Sequence, residues 1–370
     1  MRKILRAVWL TVCVIVIVFY LLSCFSFCIS PAGFSFISLF AIAFPYLFVT
    51  ATACCLTLLF IKKKAALLLI VIVFAAGLKN LGNTIALHRQ VWSMQKKDST
   101  LRIMTWNVEE FVSVERTNSL SVIAAKMVTA INAYKPDVLC LQEYKNYENT
   151  MRLPMRKVFD SLGFKYSFCS MDSFKVLKKD PYIFVYSGAA VFSRRPLADS
   201  ARINIHNTSA NENAVYTDVY FNNRRIRIFT AHLSSFRLYT DTANNSNESI
   251  YRLTYTRKRN TEYRIRANEV QHIKQVAIIR NAINQSPYPV IYCGDLNATP
   301  ATYSYNKLKG NLQDAFLQKG SGIGATFYKL LHTLRIDVCL VDNSLTVEQC
   351  TVPQLYLSDH FPVVTDVSWK

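Results

Sequence analysis

Polar side chains that could do chemistry lie at or beside the ends of short apolar stretches of this 370-residue sequence. The residues placed in this way are Asn107, Glu109, Glu143, His232, Asp295, Asn297, Asp337, Asp359 and His360. Taken singly, each is more often a helix cap, a turn former or a hydrogen-bonded structural residue. Taken together they indicate a site, because α/β proteins build their sites where strands end. If these charged groups came together beside the core and had no functional role, their unpaired charges would destabilise the fold.

The carboxylates and the first amide of this set are typical of a metal-assisted phosphoester hydrolase. Glu143 and Asp359 offer the hard oxygen ligands that Mg²⁺ or Mn²⁺ prefers, and Glu109 with Asn107 can support them. Zinc is disfavoured because the cysteines and histidines have no metal-ligand spacing. The sequence therefore predicts Mg²⁺, or Mn²⁺, as the cofactor.

Phosphoryl transfer also needs an activated water molecule and groups that neutralise the phosphate oxygens. Asp295 is the candidate for the base that orients the water. His232 and His360 can donate hydrogen bonds to non-bridging oxygens. A carboxylate such as Asp337 beside His360 would fix the tautomer of that ring and favour its charged form.

The elements that must position these residues are predicted from apolar periodicity. Apolar runs predict strands at 102–108, 137–142, 188–193, 214–221, 225–232, 288–293, 335–341 and 362–368. Helical spacing predicts helices at 119–134, 151–162 and 262–284, the last with one side formed by Ile265, Val270, Ile273, Val276 and Ala277. The polar stretch 234–260 is expected to be a surface loop. Strands mixed with helices and hairpin-like pairs favour an α/β sandwich over a doubly wound sheet.

Several short motifs occur in order along the same region: WNVE, LQE, a histidine that ends a strand, GDLN, RIDV and SDHFPV. In this order they resemble the endonuclease/exonuclease/phosphatase superfamily, with its DNase I-like fold, over about residues 101–368. GDLN together with SDH is the most specific part of the resemblance. It implies a four-layer α/β sandwich, in which two mixed β-sheets are flanked by helices. It also implies a divalent-cation-dependent phosphoesterase.

The resemblance implies roles on the metal side of the site. By motif match, Glu143 is similar to the principal metal ligand of the superfamily. Asn107 and Glu109 resemble the first-motif residues that support the metal and the phosphate, although several members carry Asp where this sequence has Glu109. Asp359 resembles the late carboxylate on the metal side.

The resemblance implies further roles on the acid/base side. Asp295 and Asn297 are similar to the pair that orients the attacking water. Asp337 and His360 resemble the acid/base couple of the superfamily. His232 resembles the histidine that some members use on the phosphate.

The N-terminal part of the chain is apolar enough for a lipid bilayer. No charged residue lies between Arg6 and Lys62, which excludes a wholly soluble protein. The apolar stretches predict membrane helices at about 7–29, 36–61 and 65–84. Residues 1–90 are therefore expected to form a transmembrane anchor, and residues 91–370 the catalytic domain. Two passes, or a cleaved signal peptide near Cys24, are the alternatives.

The flanking charges predict an orientation in the membrane. Arg2, Lys3 and Arg6 favour a cytoplasmic N-terminus, and the lysines at 62–64 favour a cytoplasmic turn after the second helix. Three passes then place the catalytic domain on the exterior or periplasmic side of a bacterial inner membrane. Two passes would leave it in the cytoplasm.

The substrate is constrained mainly by charge. The chain has 43 Lys and Arg against 24 Asp and Glu, a net charge of +19, and residues 99–370 retain 33 against 23. A basic surface suits nucleic acid or anionic lipid headgroups. The superfamily includes nucleases, sphingomyelinases, inositol-polyphosphate 5-phosphatases and tyrosyl-DNA phosphodiesterases, so the resemblance leaves the substrate open.

Four functions are compatible with these observations. A membrane-anchored, nuclease-like phosphodiesterase is slightly favoured. The alternatives are a sphingomyelinase-like lipid-headgroup phosphodiesterase, an inositol-phosphate phosphatase, and a catalytically inactive binding module anchored in the membrane. The expected partners are a phosphoester substrate, either nucleic acid or a lipid headgroup, and the lipid bilayer. No protein partner is inferred.

Overall fold

The computed structural model of the chain describes residues 1–89, 91–111, 120–148, 154–177, 180–206, 213–234, 250–329 and 332–370. Its helices are α1 (Arg2–Cys24), α2 (Ile37–Leu58), α3 (Lys63–Thr84), α4 (Leu120–Tyr134), α5 (Met155–Ser161), α6 (Ile250–Asn284), α7 (Tyr303–Lys309) and α8 (Ala315–Lys319), with a 3₁₀ turn at Glu109–Phe111. Its strands are β1 (Ala86–Leu87), β2 (Leu101–Asn107), β3 (Val138–Glu148), β4 (Tyr166–Cys169), β5 (Ser173–Leu177), β6 (Asp180–Ser193), β7 (Leu197–Ile203), β8 (Ala214–Phe221), β9 (Arg224–His232), β10 (Val290–Asp295), β11 (Gln313–Asp314), β12 (Ser321–Gly322), β13 (Asp337–Val341), β14 (Leu345–Thr351) and β15 (Val363–Trp369).

The chain forms two compact units, and the first contains the apolar helices. This unit comprises Met1–Thr84, Ser234–Lys274 and Ala298–Lys307. By length and composition, α1, α2 and α3 can each cross a membrane. The Tyr20 ring of α1 stacks 6.1 Å from that of Phe44 in α2, and its hydroxyl donates a hydrogen bond to the Val73 carbonyl of α3. One buried side chain thus joins all three helices through an apolar body and a satisfied polar end.

The first helix lies nearer the N-terminus than the predicted range of 7–29. It ends at Cys24, where the backbone tightens into shorter-range bonds, such as the one from the Ser26 N–H to the Ser23 carbonyl. The Ser26 hydroxyl also donates to the Ala301 carbonyl, at 2.7 Å. The helix therefore stops at a polar contact with a segment distant in sequence, which apolar length could not predict.

Two large mixed sheets form the second unit. It comprises Ile85–Leu233, Gln275–Asn297 and Leu308–Lys370. A seven-stranded sheet has the order β14-β15-β2-β3-β6-β4, with β5 also paired to β6, and a six-stranded sheet has the order β11-β13-β10-β9-β8-β7. The pairs β2/β3 and β9/β10 are parallel. A short two-stranded sheet joins β1 to β12.

The main core lies between the two large sheets. Ile103 of the seven-stranded sheet and Ile228 of the six-stranded sheet belong to the same buried cluster. The next residue of β2, Met104, faces the other way and packs in a second cluster with Met127 of α4 and Phe159 of α5. This alternation is the period of two that a strand imposes. The predicted α/β sandwich, with three long apolar helices before it, is confirmed.

Helix α6 differs from its prediction in both length and buried side. It begins at Ile250, so the end of the stretch 234–260 is helical rather than loop, and residues 235–249 lie outside the described ones. Its buried side chains include Glu269, His272, Gln275, Val276, Ile279 and Ile283. Of the residues on the predicted apolar side, only Val276 is buried. Val270 and Ile273 are half-buried and Ala277 is exposed, while the side chain of Ile265 lies outside the described ones. Apolar periodicity misplaced this face because three polar residues form part of it.

Candidate active site

Three neighbouring strands of the six-stranded sheet bring three of the predicted residues side by side. His232 ends β9 and is paired with Asp295, which ends β10. Asp295 is paired in turn with Asp337, the first residue of β13. Paired residues in a sheet present their side chains on the same face. Residues that are far apart along the chain therefore form a row across the ends of three neighbouring strands.

The glycine before Asp295 lets β10 lie close to β9. A Cβ atom on Gly294 would stand 2.3 Å from the Ala231 carbonyl oxygen, which is backbone and cannot move aside cheaply. Only a residue without a side chain permits this approach. The glycine of the GDLN motif is thus required by the strand spacing that places Asp295 next to His232.

Asn107, at the end of β2, connects the two sheets through its side-chain amide. Its Nδ2 donates to Oε1 of Glu143 and to Oδ2 of Asp295, both at 3.1 Å. Its Oδ1 accepts from the backbone N–H of Glu109, also at 3.1 Å. In this arrangement the amide oxygen faces the backbone rather than the carboxylates. Asn107 therefore holds two carboxylates at a fixed separation and holds the following turn.

The carboxylates of the seven-stranded sheet stand on strained backbone. Glu143 has a φ of 52° at an irregularity in the pairing of β3 with β6, between Leu141 and Tyr144. Glu109 has a φ of 45°, and the two residues after it also have positive φ. A left-handed conformation costs a residue with a side chain about 1–2 kcal/mol. Such strain is concentrated at functional sites, where the surrounding structure maintains it.

An imidazole–carboxylate pair closes the other side of the site. His360 Nδ1 lies 2.9 Å from Oδ2 of Asp337, and its Nε2 lies 3.7 Å from Oδ2 of Asp295. The backbone carbonyl of His360 accepts a hydrogen bond from the Trp106 indole, and the Phe327 ring lies 5.0 Å from the imidazole. The ring is therefore fixed on several sides, with Nε2 directed toward Asp295.

Burial and charge raise the pKa values of two groups in this cluster. Burial raises the pKa of Asp295 to about 6, an effect that His360 opposes and Asp337 reinforces. Burial alone would lower the pKa of His360, but the carboxylates of Asp337 and Asp295 raise it to about 10. The site thus contains a carboxylate with raised proton affinity beside an imidazole whose charged form is favoured. The first can accept a proton and the second can donate a hydrogen bond.

A lysine joins the two remaining carboxylates. Lys329 Nζ lies 3.2 Å from Oε1 of Glu109 and 3.0 Å from Oδ2 of Asp359. Burial and the Asp359 charge raise the pKa of Glu109, whereas Lys329 lowers it. Asp359 also lies 4.0 Å from Nε2 of His360. The carboxylates predicted to bind the metal are therefore in contact with the residues predicted for acid/base chemistry.

His232 and Asn297 complete the set. His232 Nε2 lies 3.6 Å from Oδ2 of Asp295 and 3.7 Å from Oε1 of Glu143. Asn297 donates its backbone N–H to Oδ1 of Asp295 at 2.8 Å, but its side-chain amide donates to the Leu233 carbonyl. All nine predicted residues are thus linked by contacts of 4.0 Å or less. Asn297 takes part through its backbone, and its side chain fixes the neighbouring segment.

A family model described as the endonuclease/exonuclease/phosphatase family matches residues 104–360, which is more than half of the chain. The chain belongs to this family. Family members are hydrolases that act on phosphoester bonds. A second model, for a domain of unknown function, matches residues 2–84.

Solved structures support the family fold. An endonuclease/exonuclease/phosphatase protein from Beutenbergia cavernae is 17% identical, with 73% of this chain and 72% of that chain covered and a TM-score of 0.52. The human Nocturnin catalytic domain with a bound sulfate anion is 20% identical, with 75% and 97% covered and a TM-score of 0.51. TDP2 of D. rerio, humanized by 14 mutations, is 19% identical, with 73% and 100% covered and a TM-score of 0.50. At these identities the likeness establishes the fold alone.

The family typically depends on a divalent metal, and the donor chemistry of this site fits one. Glu143, Glu109 and Asp359 supply carboxylate oxygens near one another, and Oε2 of Glu109 is buried with no hydrogen-bond partner among the described residues. A buried unsatisfied carboxylate oxygen is costly unless a cation uses it. Asp295, Asp337 and His360 could also hold a metal by proximity. Their hydrogen bonding instead suits proton chemistry, because His360 Nδ1 is already bonded to Asp337.

Sequence reasoning missed three contributors to the site. Lys329 contacts both Glu109 and Asp359, yet a single lysine in an aromatic-rich segment gives no pattern. Phe327 packs on His360 through an isolated β-bridge, which is a tertiary contact. Gln142 is part of the LQE motif, but the sequence assigned it no role. Its amide donates to the hydroxyls of Thr105 and Thr230 behind the site.

Proposed function

We propose that this protein is a divalent-cation-dependent phosphoesterase that hydrolyses a phosphodiester by in-line attack of water. The observation that supports this most is the row of His232, Asp295 and Asp337 on one sheet, facing Asn107 and Glu143 from the other. The groups proposed as base, imidazole donor and oxygen ligands thereby lie within hydrogen-bond or ion-pair distance of their neighbours. A binding module would have no use for a base buried among donors, which disfavours the catalytically inactive alternative.

The roles follow from which groups are buried and which reach solvent. Asp295 would accept the proton of the attacking water, held in place by the Asn107 amide and the Asn297 N–H. His360, oriented by Asp337, would donate from Nε2 to a phosphate oxygen, and His232 would do the same from the other side. General-base catalysis contributes about 10²–10⁴-fold.

The part-exposed carboxylates would hold the cation. Glu143, Glu109 and Asp359 are the residues placed to bind Mg²⁺ or Mn²⁺, with Asn107 fixing Glu143. When bound, such a cation neutralises charge on the phosphate and lowers the pKa of water. The Glu143 side chain is 34% exposed, so a substrate phosphate can reach it from solvent.

A nucleic acid strand is the proposed substrate. The aromatic rings of Tyr328 and Tyr356 meet at 5.1 Å, Tyr356 is 61% exposed, and Tyr328 directly precedes Lys329 at the carboxylates. Unpaired bases stack on exposed aromatic rings, whereas most lipid headgroups offer no ring to stack. Tyr356→Ala should raise the KM for single-stranded DNA about tenfold. Tyr166→Ala, also at an exposed ring, should leave the KM unchanged.

A lipid-headgroup phosphodiester is the second candidate, and the apolar helices α1–α3 favour it. Helices that can cross a membrane would keep an enzyme close to a substrate in the same bilayer. An inositol phosphate is a weaker candidate, because Ala298 and Thr299 follow the GDLN motif where inositol phosphatases usually continue with aromatic and basic residues.

The full chain, purified into nanodiscs with Mg²⁺, can separate these substrates. We expect cleavage of a labelled single-stranded DNA and a loss of at least 10²-fold in Asp295→Asn. Asp160→Asn, which alters an exposed carboxylate paired with Lys165, is the matched control and should keep parental activity. Release of phosphorylated headgroup from vesicles without DNA cleavage would select the lipid substrate. Turnover of neither, nor of an inositol phosphate, would overturn the proposed function.

We further propose that residues 1–90 anchor the protein in a bacterial inner membrane by three passes, with residues 91–370 on the periplasmic side. The positive residues at the start of α1 (Arg2, Lys3 and Arg6) and those just before and at the start of α3 (the lysines at 62–64) support this orientation. A cysteine placed at exposed Asp160, in a chain with Cys28→Ser, should react with an impermeant maleimide on intact cells. Reaction only after lysis would indicate a cytoplasmic domain and two passes.

A further inference from the structure

We propose that the outer end of the ribbon formed by β5 and residues 180–187 of β6 enters the interface of an anionic lipid bilayer, with Phe174, Val176 and Tyr182 in contact with lipid. This inference goes beyond the proposed function, and none of the three residues belongs to the candidate active site. The ribbon would be a second membrane contact besides helices α1–α3. It would hold the catalytic domain in one orientation on the bilayer, whereas the helices tether the chain.

Strand pairing places the apolar side chains of the ribbon on one face. Phe174 of β5 is paired with Tyr186 of β6, and Val176 is paired with Phe184. Paired residues share a face, and so do residues two apart on a strand, so these four side chains lie together. The Phe174 and Phe184 rings stack at 5.7 Å and 24°, which agrees with this assignment.

The face is buried at its inner end and exposed at its outer end, and it stays apolar throughout. Tyr186 is buried in the cluster that contains Phe159 of α5. Phe184 is half-buried, whereas Phe174 is 58% and Val176 46% exposed. A strand face that leaves the core for water normally becomes polar. Adjoining exposed apolar side chains instead mark an interaction surface.

The charge at the outer end of the ribbon is basic. Residues 173–182 contain three lysines, at 175, 178 and 179, against one acid, Asp180. Lys175 is exposed on the other face of β5, and Tyr182 of β6 is 78% exposed. Asp172, just before β5, accepts hydrogen bonds from the backbone and side chain of Asn213 at 2.8 and 2.7 Å. Lysines beside an apolar surface complement the negative headgroups of an anionic bilayer.

The mixture of side chains fits a lipid surface better than a nucleic acid strand. Aromatic rings settle at the headgroup level of a bilayer, and lysines beside them reach the phosphates. A strand of bases would need rings with free faces, but the Phe174 ring is stacked on Phe184 and Val176 has no ring. Helices α1–α3 can each cross a membrane, which would keep a bilayer within reach of the ribbon.

The test uses the full chain with Cys28→Ser, in nanodiscs of phosphatidylcholine and phosphatidylglycerol that contain spin-labelled lipid. An environment-sensitive fluorophore attached at Tyr182→Cys should lose most of its emission to the spin-labelled lipid, and the remaining emission should shift to shorter wavelength. The same fluorophore at Asp160→Cys, an exposed position paired with Lys165, is the matched control and should be neither quenched nor shifted. Adding Phe174→Ser and Val176→Ser should abolish the quenching at residue 182.

Three outcomes would overturn the inference. The first is a fluorophore at residue 182 that spin-labelled lipid does not quench. The second is shifted emission without quenching, which would indicate that protein covers the surface, and energy transfer between labelled copies would then identify a second copy of the chain. The third is quenching that persists with Phe174→Ser and Val176→Ser. Quenching needs no turnover, so it is independent of a failure of the proposed reaction, and circular dichroism establishes that each variant is folded.

Discussion

Asp295 and Glu269 are two buried carboxylates in different units of the molecule, and their surroundings differ. Burial raises the pKa of both, to about 6 for Asp295 and about 7 for Glu269. Asp295 accepts hydrogen bonds from Asn107 and from the N–H of Asn297. Neither oxygen of Glu269 has a hydrogen-bond partner among the described residues, although the nearby Ser38 hydroxyl lowers its pKa.

Burial by itself does not suit a carboxylate to act as a base. Desolvation raises a pKa wherever a carboxylate is enclosed. A base also needs donors that fix its direction and neighbours that receive or stabilise charge, and Asp295 has both. Glu269 is buried without such a set of donors and charged neighbours, so its raised pKa is expected to affect stability rather than reaction.

Replacing the proposed base, Asp295, should have the largest effect. Asp295→Asn keeps the shape of the side chain and its place between Asn107 and Asn297, but it cannot accept a proton. The kcat should fall by about 10²–10⁴-fold, while the Kd for Mn²⁺ changes little. Single-turnover kinetics and Mn²⁺ titration measure the two quantities. A kcat within about tenfold of the parent would remove Asp295 from the base role.

Replacing the partner of the imidazole should have a smaller effect. Asp337→Asn leaves an oxygen that can accept from His360 Nδ1 but removes the charge that stabilises the imidazolium. The kcat should fall by about 10²-fold with the KM within threefold, because the ring keeps its place but donates less well. Steady-state kinetics on the cleaved substrate measure both constants. A raised KM with unchanged kcat would instead place Asp337 in substrate binding.

Much of the acid/base side could be predicted from the sequence. His232, Asp295 and Asp337 adjoin apolar β-rich runs, and strand pairing alone brings such positions together. Periodicity favours an α/β sandwich, the resemblance to the family implies its two mixed sheets, and the absence of charge predicts the three apolar helices. The local sequence pattern suffices for these residues because regular strand pairing determines where they lie.

The metal side depends on contacts that local pattern does not encode. Glu143 is directed by a register shift between β3 and β6, and a register shift is decided by the partner strand. Lys329 lies beside Asp359 because Phe327 bridges to His360, a tertiary contact. Asn297 was expected to orient water, but its side chain is engaged by the Leu233 carbonyl. The sequence therefore predicted Glu143 and Asn297 as site residues but not the directions of their side chains, and it did not indicate Lys329.

Breaking the buried polar contact behind the site should cost stability rather than rate. Gln142→Leu removes an amide that bonds Thr105 at 3.1 Å and Thr230 at 2.8 Å, across the two sheets. Two buried hydroxyls lose their partner, which costs about 1–3 kcal/mol for each group left unsatisfied. Chemical denaturation should therefore give a lower free energy of unfolding, by about 2–6 kcal/mol, with kcat within threefold of the parent. An unchanged denaturation midpoint would contradict this account of the amide.

Neutralising Glu269 should stabilise the protein, and only at higher pH. Its folded pKa of about 7 lies above the ordinary value of 4.5, so folding is penalised once the unfolded carboxylate ionises. The penalty is absent below pH 4.5, grows as the pH rises to 7 and is constant above, at no more than about 3 kcal/mol. Glu269→Gln should therefore raise the Tm at pH 8 and leave it nearly unchanged at pH 4.5, with kcat unaltered.

A carboxylate of opposite character provides the control for that effect. The hydrogen bond from Ser368 and the charge of Lys97 lower the pKa of Glu348, so its ionised form stabilises the folded state above pH 4.5. Glu348→Gln should therefore lower the Tm at pH 8, where Glu269→Gln raises it. Thermal unfolding at the two pH values distinguishes the two residues. If both variants moved the Tm in the same direction, the loss of any carboxylate would explain the result, and the contrast between a burial-raised and a partner-lowered pKa would lose its basis.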